Sequence, residues 1–260
     1  METVEDLKKS IADAEMVLVG IGEEFETDWE KMKGIQPYAE WLAEIAQKED
    51  AKWLIPYIRA HYLEQMDDER LREAYSSLNR LLEKKNYFLV SLCTDGRMEK
   101  LKWKEDRLVF PCGGYTKLQC ENCKAELTDA GQTVDAVIQK CQQQVGSLER
   151  IERPVCRHCG AKLEFNNIYF AEEYDETGYL PAWDIYMKWL QGTINRKLCV
   201  IELGVGLKFP SVIRWPFEKA AFFNQKASFF RVHSRLYQMS EELADRGVSI
   251  AQNPIDFLRN

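Results

Sequence analysis

Two Cys-x-x-Cys pairs, Cys120 with Cys123 and Cys156 with Cys159, constrain this chain more than any other feature. Each pair puts two thiolates on one tight turn. Two such turns supply four sulfurs, a closed tetrahedral set of the kind that suits Zn²⁺. A redox pair or a disulfide framework is the rival use of cysteines so spaced. A closed four-cysteine site keeps no coordination position open, so it is expected to be structural and not catalytic. Function then has to be sought in the chain around it. Between the pairs, residues 128–145 pattern as an inserted helix, and Cys141 within it is expected to be a bystander. His158 lies inside the second pair and is surplus to a site that four cysteines complete.

Eight cysteines leave Cys93, Cys112, Cys141 and Cys199 outside that set. The opening METVEDLKKS is polar and acidic, which is not the pattern of a secretory signal. A reducing, cytoplasmic setting with free thiols is the expectation. A net charge of -7 and a pI near 5.3 oppose non-specific binding to nucleic acid or an anionic membrane. No apolar run approaches the length of a membrane span.

Along the chain, apolar spacing alternates between the two regular periods. Residues 2–15 read as a helix, with Val4, Leu7, Ile11 and Ala14 on one face. Residues 16–21 read as a buried strand that ends in Gly20-Ile21-Gly22. Such a turn lets backbone approach a pyrophosphate, although G-x-G alone is a weak signal. Residues 35–85 read as helical and rich in core aromatics, with a break or kink at Pro56. A second strand covers 87–92 and is followed by Cys93-Thr94-Asp95-Gly96. Short strand-like pieces at 101–103 and 107–111 lead into Cys112 and the zinc module, and 163–170 returns the chain to the main domain. Then come a helix at 179–194, a strand at 197–203 ending in Gly204-Val205-Gly206, and a helix at 211–224 with a kink expected at Pro216. A strand at 227–233, a helix at 239–246, a strand at 248–250 and a helical turn at 254–258 complete the chain. This alternation predicts an α/β fold: a doubly wound, Rossmann-like parallel sheet interrupted by a zinc-ribbon insertion. The carboxyl ends of its strands should gather along one edge, where such sheets bind ligands.

The order of these features resembles the sirtuins over nearly the whole chain. The marks are Gly20-Ile21-Gly22 after the first strand, Asp95-Gly96 after the second, the two cysteine pairs, Ile168-Tyr169-Phe170-Ala171-Glu172, and a glycine turn after a buried strand. Glu202-Leu203-Gly204-Val205-Gly206, the run from Ile213 to Phe217, and Gly113-Gly114-Tyr115 leading to Gln119-Cys120 are most similar to the macrodomain-associated microbial class. The resemblance implies a single domain over 1–260. Its Rossmann-like part would take 1–34, 86–111 and 172–260, its helical module 35–85 and its zinc-binding module 112–171. It implies NAD⁺ beside the structural Zn²⁺, with Gly20, Ile21, Gly22, Asp95, Gly204, Val205, Gly206 and His233 around the nucleotide. Members of that class transfer ADP-ribose from NAD to a protein carrying lipoyl-lysine, whereas ordinary sirtuins remove acyl groups from lysine. A protein substrate or partner, such as a lipoyl-carrier protein, is therefore implied.

The departures from the family pattern fall on its chemistry. The Asn that holds the nicotinamide ribose falls on Cys93, and the Gln before it falls on Leu92. The general base, His in deacylases and Gln in the macrodomain-linked class, falls on Cys112, eight residues before Cys120. The Ser of the first glycine turn falls on Glu24, and the ribose-binding Asn falls on His233. Asp95, which contacts the nicotinamide amide in the family, is kept. Catalytic candidates are accordingly Cys112, Asp95 and Cys93. A thiol serves as a base only if its surroundings lower its pKa; otherwise the two cysteines are small space-filling residues. Glu23 and Glu24 either cap the N–H groups of the first helical turn and repel a pyrophosphate, or point to solvent. The expectation is a sirtuin-like NAD-dependent protein-modifying enzyme, of the ADP-ribosyltransferase type, whose activity is weak or lost. An active lysine deacylase and a non-catalytic, zinc-containing NAD- or ADP-ribose-binding or interaction protein are the alternatives.

Overall fold

In the computed structural model of the chain, residues 4–104, 106–123 and 125–260 are described. Helix α1 (Val4–Asp13) leads into strand β1 (Met16–Ile21). Helices α2 (Tyr38–Ile45), α3 (Ile55–Gln65) and α4 (Glu69–Leu82) precede β2 (Asn86–Ser91) and β3 (Leu108–Val109). The cysteine-bearing part holds β4 (Gly113–Cys120), β5 (Thr128–Asp129), α5 (Gly131–Gln143) and β6 (Leu163–Asn167). The remainder is α6 (Leu180–Gln191), β7 (Leu198–Leu203), α7 (Arg214–Phe223), β8 (Ser228–Val232), β9 (Gly247–Ile250) and α8 (Pro254–Arg259).

Six strands pair in parallel in the order β3-β2-β1-β7-β8-β9. Helices cover both faces, so β1 and β7 are buried at every position. Their side chains still alternate between two cores, because strand side chains have a period of two. Val17, Val19 and Ile21 join Leu89 and Ile201 under α1, α4 and α8. Met16 and Leu18 join Phe88, Val90 and Val200 under α6 and α7. Helix α4 supplies the first core with Leu71, Ala74, Tyr75, Leu78 and Leu82, the stripe that helical spacing demands. Its Asp68 cap accepts the Leu71 N–H. A third core joins α2, α3 and α5 to Leu118 and Phe165 of a three-stranded sheet, β5-β4-β6. Among the described residues no helix is long and apolar enough to cross a membrane.

Several local expectations are corrected. Residues 101–103 are irregular, because Trp103 folds back and its ring N–H donates to the Met98 carbonyl at 2.8 Å. Residues 239–246 contain only one 3-10 turn, Glu241–Leu243, since Met239 lies over Gly247. Residues 163–170 do not return to the parallel sheet; β6 pairs antiparallel with β4. Thr128 and Asp129 form a strand ahead of α5. Pro56 and Pro216 both lie in the first turn of a helix, where a missing N–H loses no intrahelical bond, so each starts a helix instead of kinking one.

Candidate active site

The backbone ladder runs past the strand ends and binds the turns to one another. Gly22 N–H donates to the Leu203 carbonyl at 2.9 Å, Leu92 N–H to Ile21 at 2.9 Å, and Gly204 N–H to Val232 at 2.8 Å. Gly22, Cys93, the 204–206 turn and His233 therefore share one edge, as the strand order requires. Gly22 is needed for the close approach: a Cβ there would lie 2.3 Å from the Gly204 oxygen and 2.3 Å from the Val205 Cα. Gly204 turns the chain at φ +65°. Gly20 and Ile21 sit inside β1; a Cβ on Gly20 would meet Ile213 of the α7 approach, and Ile21 belongs to the core. Val205 is buried, and its carbonyl accepts from Arg214 Nη1 at 3.0 Å. Arg214 also donates to the Leu236 carbonyl, so one guanidinium braces the turns after β7 and β8. Glu202 does not reach the edge. It is fully buried and paired with Arg231 at 2.7 Å.

Acidic residues of the segment after β1 fill the edge. Glu23 Oε2 accepts the Gly206 N–H at 2.6 Å. Glu24 accepts the Ser234 N–H at 3.1 and 3.3 Å through its two oxygens. Glu26 Oε1 accepts the Thr94 N–H at 2.7 Å and its hydroxyl at 3.2 Å. Asp95 answers in reverse: its Oδ2 accepts the Thr27 N–H at 3.1 Å and hydroxyl at 2.8 Å. Glu26-Thr27 and Thr94-Asp95 thus exchange hydrogen bonds as a reciprocal clasp. It places two carboxyl groups close together inside the protein. Burial, and then the charge of Asp95, raise Glu26 to about 7. Asp95 is also raised by burial, against its bonds from Thr27 and Arg97. Glu26 Oε2 and Glu23 Oε1 are buried with no protein partner.

Both thiols lie inside this acidic surround and are free. Cys93 Sγ donates to the Gly22 carbonyl at 3.3 Å, and burial followed by the charges of Glu26 and Asp95 raises its pKa well above the usual thiol range. Burial, then Glu26 and Glu23, push Cys112 up to about 12. His233 Nδ1 accepts the N–H groups of Arg235 at 3.0 Å and Leu236 at 3.2 Å. A nitrogen that accepts carries no proton, so the ring is neutral. The approach of Glu24 Oε1 at 3.4 Å is then no ion pair. Burial lowers the His233 pKa in the same sense.

The four sequence-predicted metal ligands do meet. All sulfurs of Cys120, Cys123, Cys156 and Cys159 lie within 4.8 Å of one another. Cys120–Cys159 is 3.4 Å and Cys123–Cys156 is 3.6 Å. Ligands at 2.3 Å around a tetrahedral Zn²⁺ stand about 3.8 Å apart, so the set fits that ion. Backbone N–H groups of Cys123 and His158 point at the Cys120 and Cys156 sulfurs at 3.4 Å, which favours thiolates.

A Sir2 mutant solved with a p53 peptide and NAD superposes with a TM-score of 0.56 at 14% identity, covering 100% of this chain and 96% of that one. This chain has the sirtuin fold. A protein ADP-ribosyltransferase of Staphylococcus aureus is 20% identical over 96% of the chain and 84% of its own length. A probable bifunctional ADP-ribose hydrolase/ADP-ribosyltransferase of Fusarium oxysporum is 30% identical over 48% of the chain, which is only 21% of that protein. No protein-family model matches the chain.

Two strand-end donors that a pyrophosphate would need are taken in this structure. The Gly206 and Ser234 N–H groups are already bonded to Glu23 and Glu24, and a pyrophosphate beside those carboxylates would meet like charge. Sequence reasoning missed Glu26, Thr27, Thr94 and Arg214. Only the acidity of 23–26 hinted at the first; Thr94 and Arg214 stand inside runs already singled out, but no role fell on them, and nothing local marks Thr27.

Proposed function

We propose that this is a sirtuin-like protein-modifying enzyme of the ADP-ribosyltransferase type, with NAD as donor and a protein as substrate, whose chemistry is weakened at the substituted strand-end positions. The fold supports the class. The ADP-ribosyltransferase names of its relatives, and the NAD and peptide held by a Sir2 structure of the same fold, support the donor and the substrate. A lipoyl-carrier protein is the partner to which the macrodomain-class resemblance points. Zn²⁺ on Cys120, Cys123, Cys156 and Cys159 would cross-link the small sheet and supply no Lewis acid, since its four positions are filled.

The observation that carries the weakening is the state of Cys112. A group that exchanges protons in a transition state works best with a pKa near the working pH. A thiol pushed up to about 12 keeps its proton at neutrality and cannot act as a base there. Cys93 is raised in the same way. Asp95 is turned toward Thr27 and Arg97, so a nicotinamide amide would have to share an oxygen that already accepts a hydrogen bond.

Titration calorimetry with NAD and a nicotinamide-release assay test this on the zinc-loaded chain. The expected result is NAD binding weaker than micromolar, release slow or undetectable, and Cys112→Ala indistinguishable from wild type. Micromolar NAD binding with steady release that Cys112→Ala abolishes would instead establish a thiol-based enzyme.

A further inference from the structure

The carboxylates of residues 23–26 do not cap their own turn. Each reaches across the edge to a different strand end: Glu23 to the turn after β7, Glu24 to the turn after β8, and Glu26 to the turn after β2. Backbone N–H groups at such turns form anion sites, because several donors converge on one point with no side chain in the way. The anion that fills these is part of the chain. The segment that carries it is anchored at both ends of the acidic run. Phe25 is fully buried against Tyr75, with ring centroids 5.2 Å apart. Trp29 packs on Tyr62 and Tyr115, and the Arg59 guanidinium lies 4.7 Å over its ring. The Thr27–Asp95 bonds hold the stretch between.

We propose that Glu23 and Glu24 are specificity-determining residues that occupy the strand-end donors in place of phosphate, so that a pyrophosphate-bearing ligand enters only by displacing the segment 23–34. The proposal rests on the nucleotide-site reading above. Two geometric details support displacement of an occupant over a permanent cap. Glu23 bonds the edge through one oxygen only, and its Oε1 is buried without a partner. The bonds that Glu24 makes to Ser234 are long, 3.1 and 3.3 Å, for a carboxylate on an N–H. Ser234 is thus held below the full strength a carboxylate can give, while Gly206 is held by a single short bond of 2.6 Å.

The test uses the full, zinc-loaded chain, a Glu23→Ala/Glu24→Ala double variant and a Glu23→Gln/Glu24→Gln double variant. Alanine keeps the Glu24 Cβ that packs on Gly204, and glutamine keeps one acceptor oxygen on each side chain while removing the charge. The alanine variant carries both the binding and the exchange readouts; the glutamine variant, whose remaining oxygens can still cover the amides, carries the binding readout alone should the alanine variant not melt as cooperatively as wild type. Calorimetry is run with ADP-ribose, which carries the pyrophosphate, and with adenosine, which does not. Amide hydrogen exchange is followed at Gly206 and Ser234. The expected result is at least tenfold tighter ADP-ribose binding by the alanine variant, unchanged adenosine binding, and faster exchange at both amides. ADP-ribose binding wild type as tightly as the variant would overturn the proposal. So would equal exchange at the two amides, because the carboxylates would then not be covering them. Amides uncovered in the variant with ADP-ribose still unbound would overturn the nucleotide-site reading, and this proposal with it.

Discussion

Glu26 is a carboxyl group that its surroundings hold near neutrality. It shares a buried clasp with Asp95, and Lys208 offers only partial relief of its charge. Folded Glu26 keeps its proton up to about 7, whereas an unfolded glutamate loses it near 4.5. Folding therefore takes up a proton between those values, and stability falls as pH rises through that window. The contribution is complete below about 4.5 and lost above about 7, with a span on the order of 3 kcal/mol. Glu26→Gln keeps an oxygen for the Thr94 N–H and removes the titration. Urea denaturation from pH 5 to pH 8 should show a falling stability for wild type and a flatter profile for the variant. At pH 8 the variant should be the more stable by about 2 kcal/mol. Parallel profiles would place the proton elsewhere. None of this was legible in the sequence, because the clasp joins residues 68 positions apart. The cysteines at 93 and 112 were legible as substitutions. Their protonation was not, since it is set by burial and by Glu26.

At the scale of elements, the turn after β1 is packed backbone to backbone against the turn after β7. Gly22 has an extended backbone, so its need for glycine comes from space and not from conformation. The atoms a Cβ would meet belong to the backbone of the next turn, which cannot swing aside as a side chain does. Gly22→Ala should therefore destabilise the chain by about 3 kcal/mol or more, at the upper end of overpacking costs. Thermal denaturation checks this, and a change within the noise of the wild-type Tm would mean that the two turns can separate. The glycine turns were readable from sequence because glycine after an apolar run is a local signal. The path of 23–34 was not. Its 3-10 turns, Glu23–Phe25 and Trp29–Gly34, carry no apolar period, and its anchors lie on α3, α4 and β4. Helix α4 shows the same limit in milder form. Its stripe identified a helix, yet only packing decided that it covers the parallel sheet and not the cluster around α2 and α3.

For the molecule as a whole, the small sheet, whose strand β4 ends in Cys120 of the four-cysteine cluster, and the parallel sheet pack into different cores, with Leu118 and Phe165 in one and Val19 and Ile201 in the other. Structural zinc sites contribute on the order of 10 kcal/mol of binding free energy to the fold they hold. Chelation, or Cys156→Ser, should thus release about one zinc per chain and give an early melting transition for the small sheet. The six-stranded sheet should survive to a higher temperature. A single unchanged transition after complete zinc loss would refute a structural role. The sequence by itself determined the four sulfurs, the alternating α/β order and the edge where the strand ends meet, because each follows from spacing along the chain and from the periods of helix and strand. Only the tertiary structure decided what fills that edge. Glu23 meets its donor on Gly206 across 183 positions, and whether a carboxylate faces solvent, a phosphate or a backbone N–H depends on which turns the sheet brings beside it.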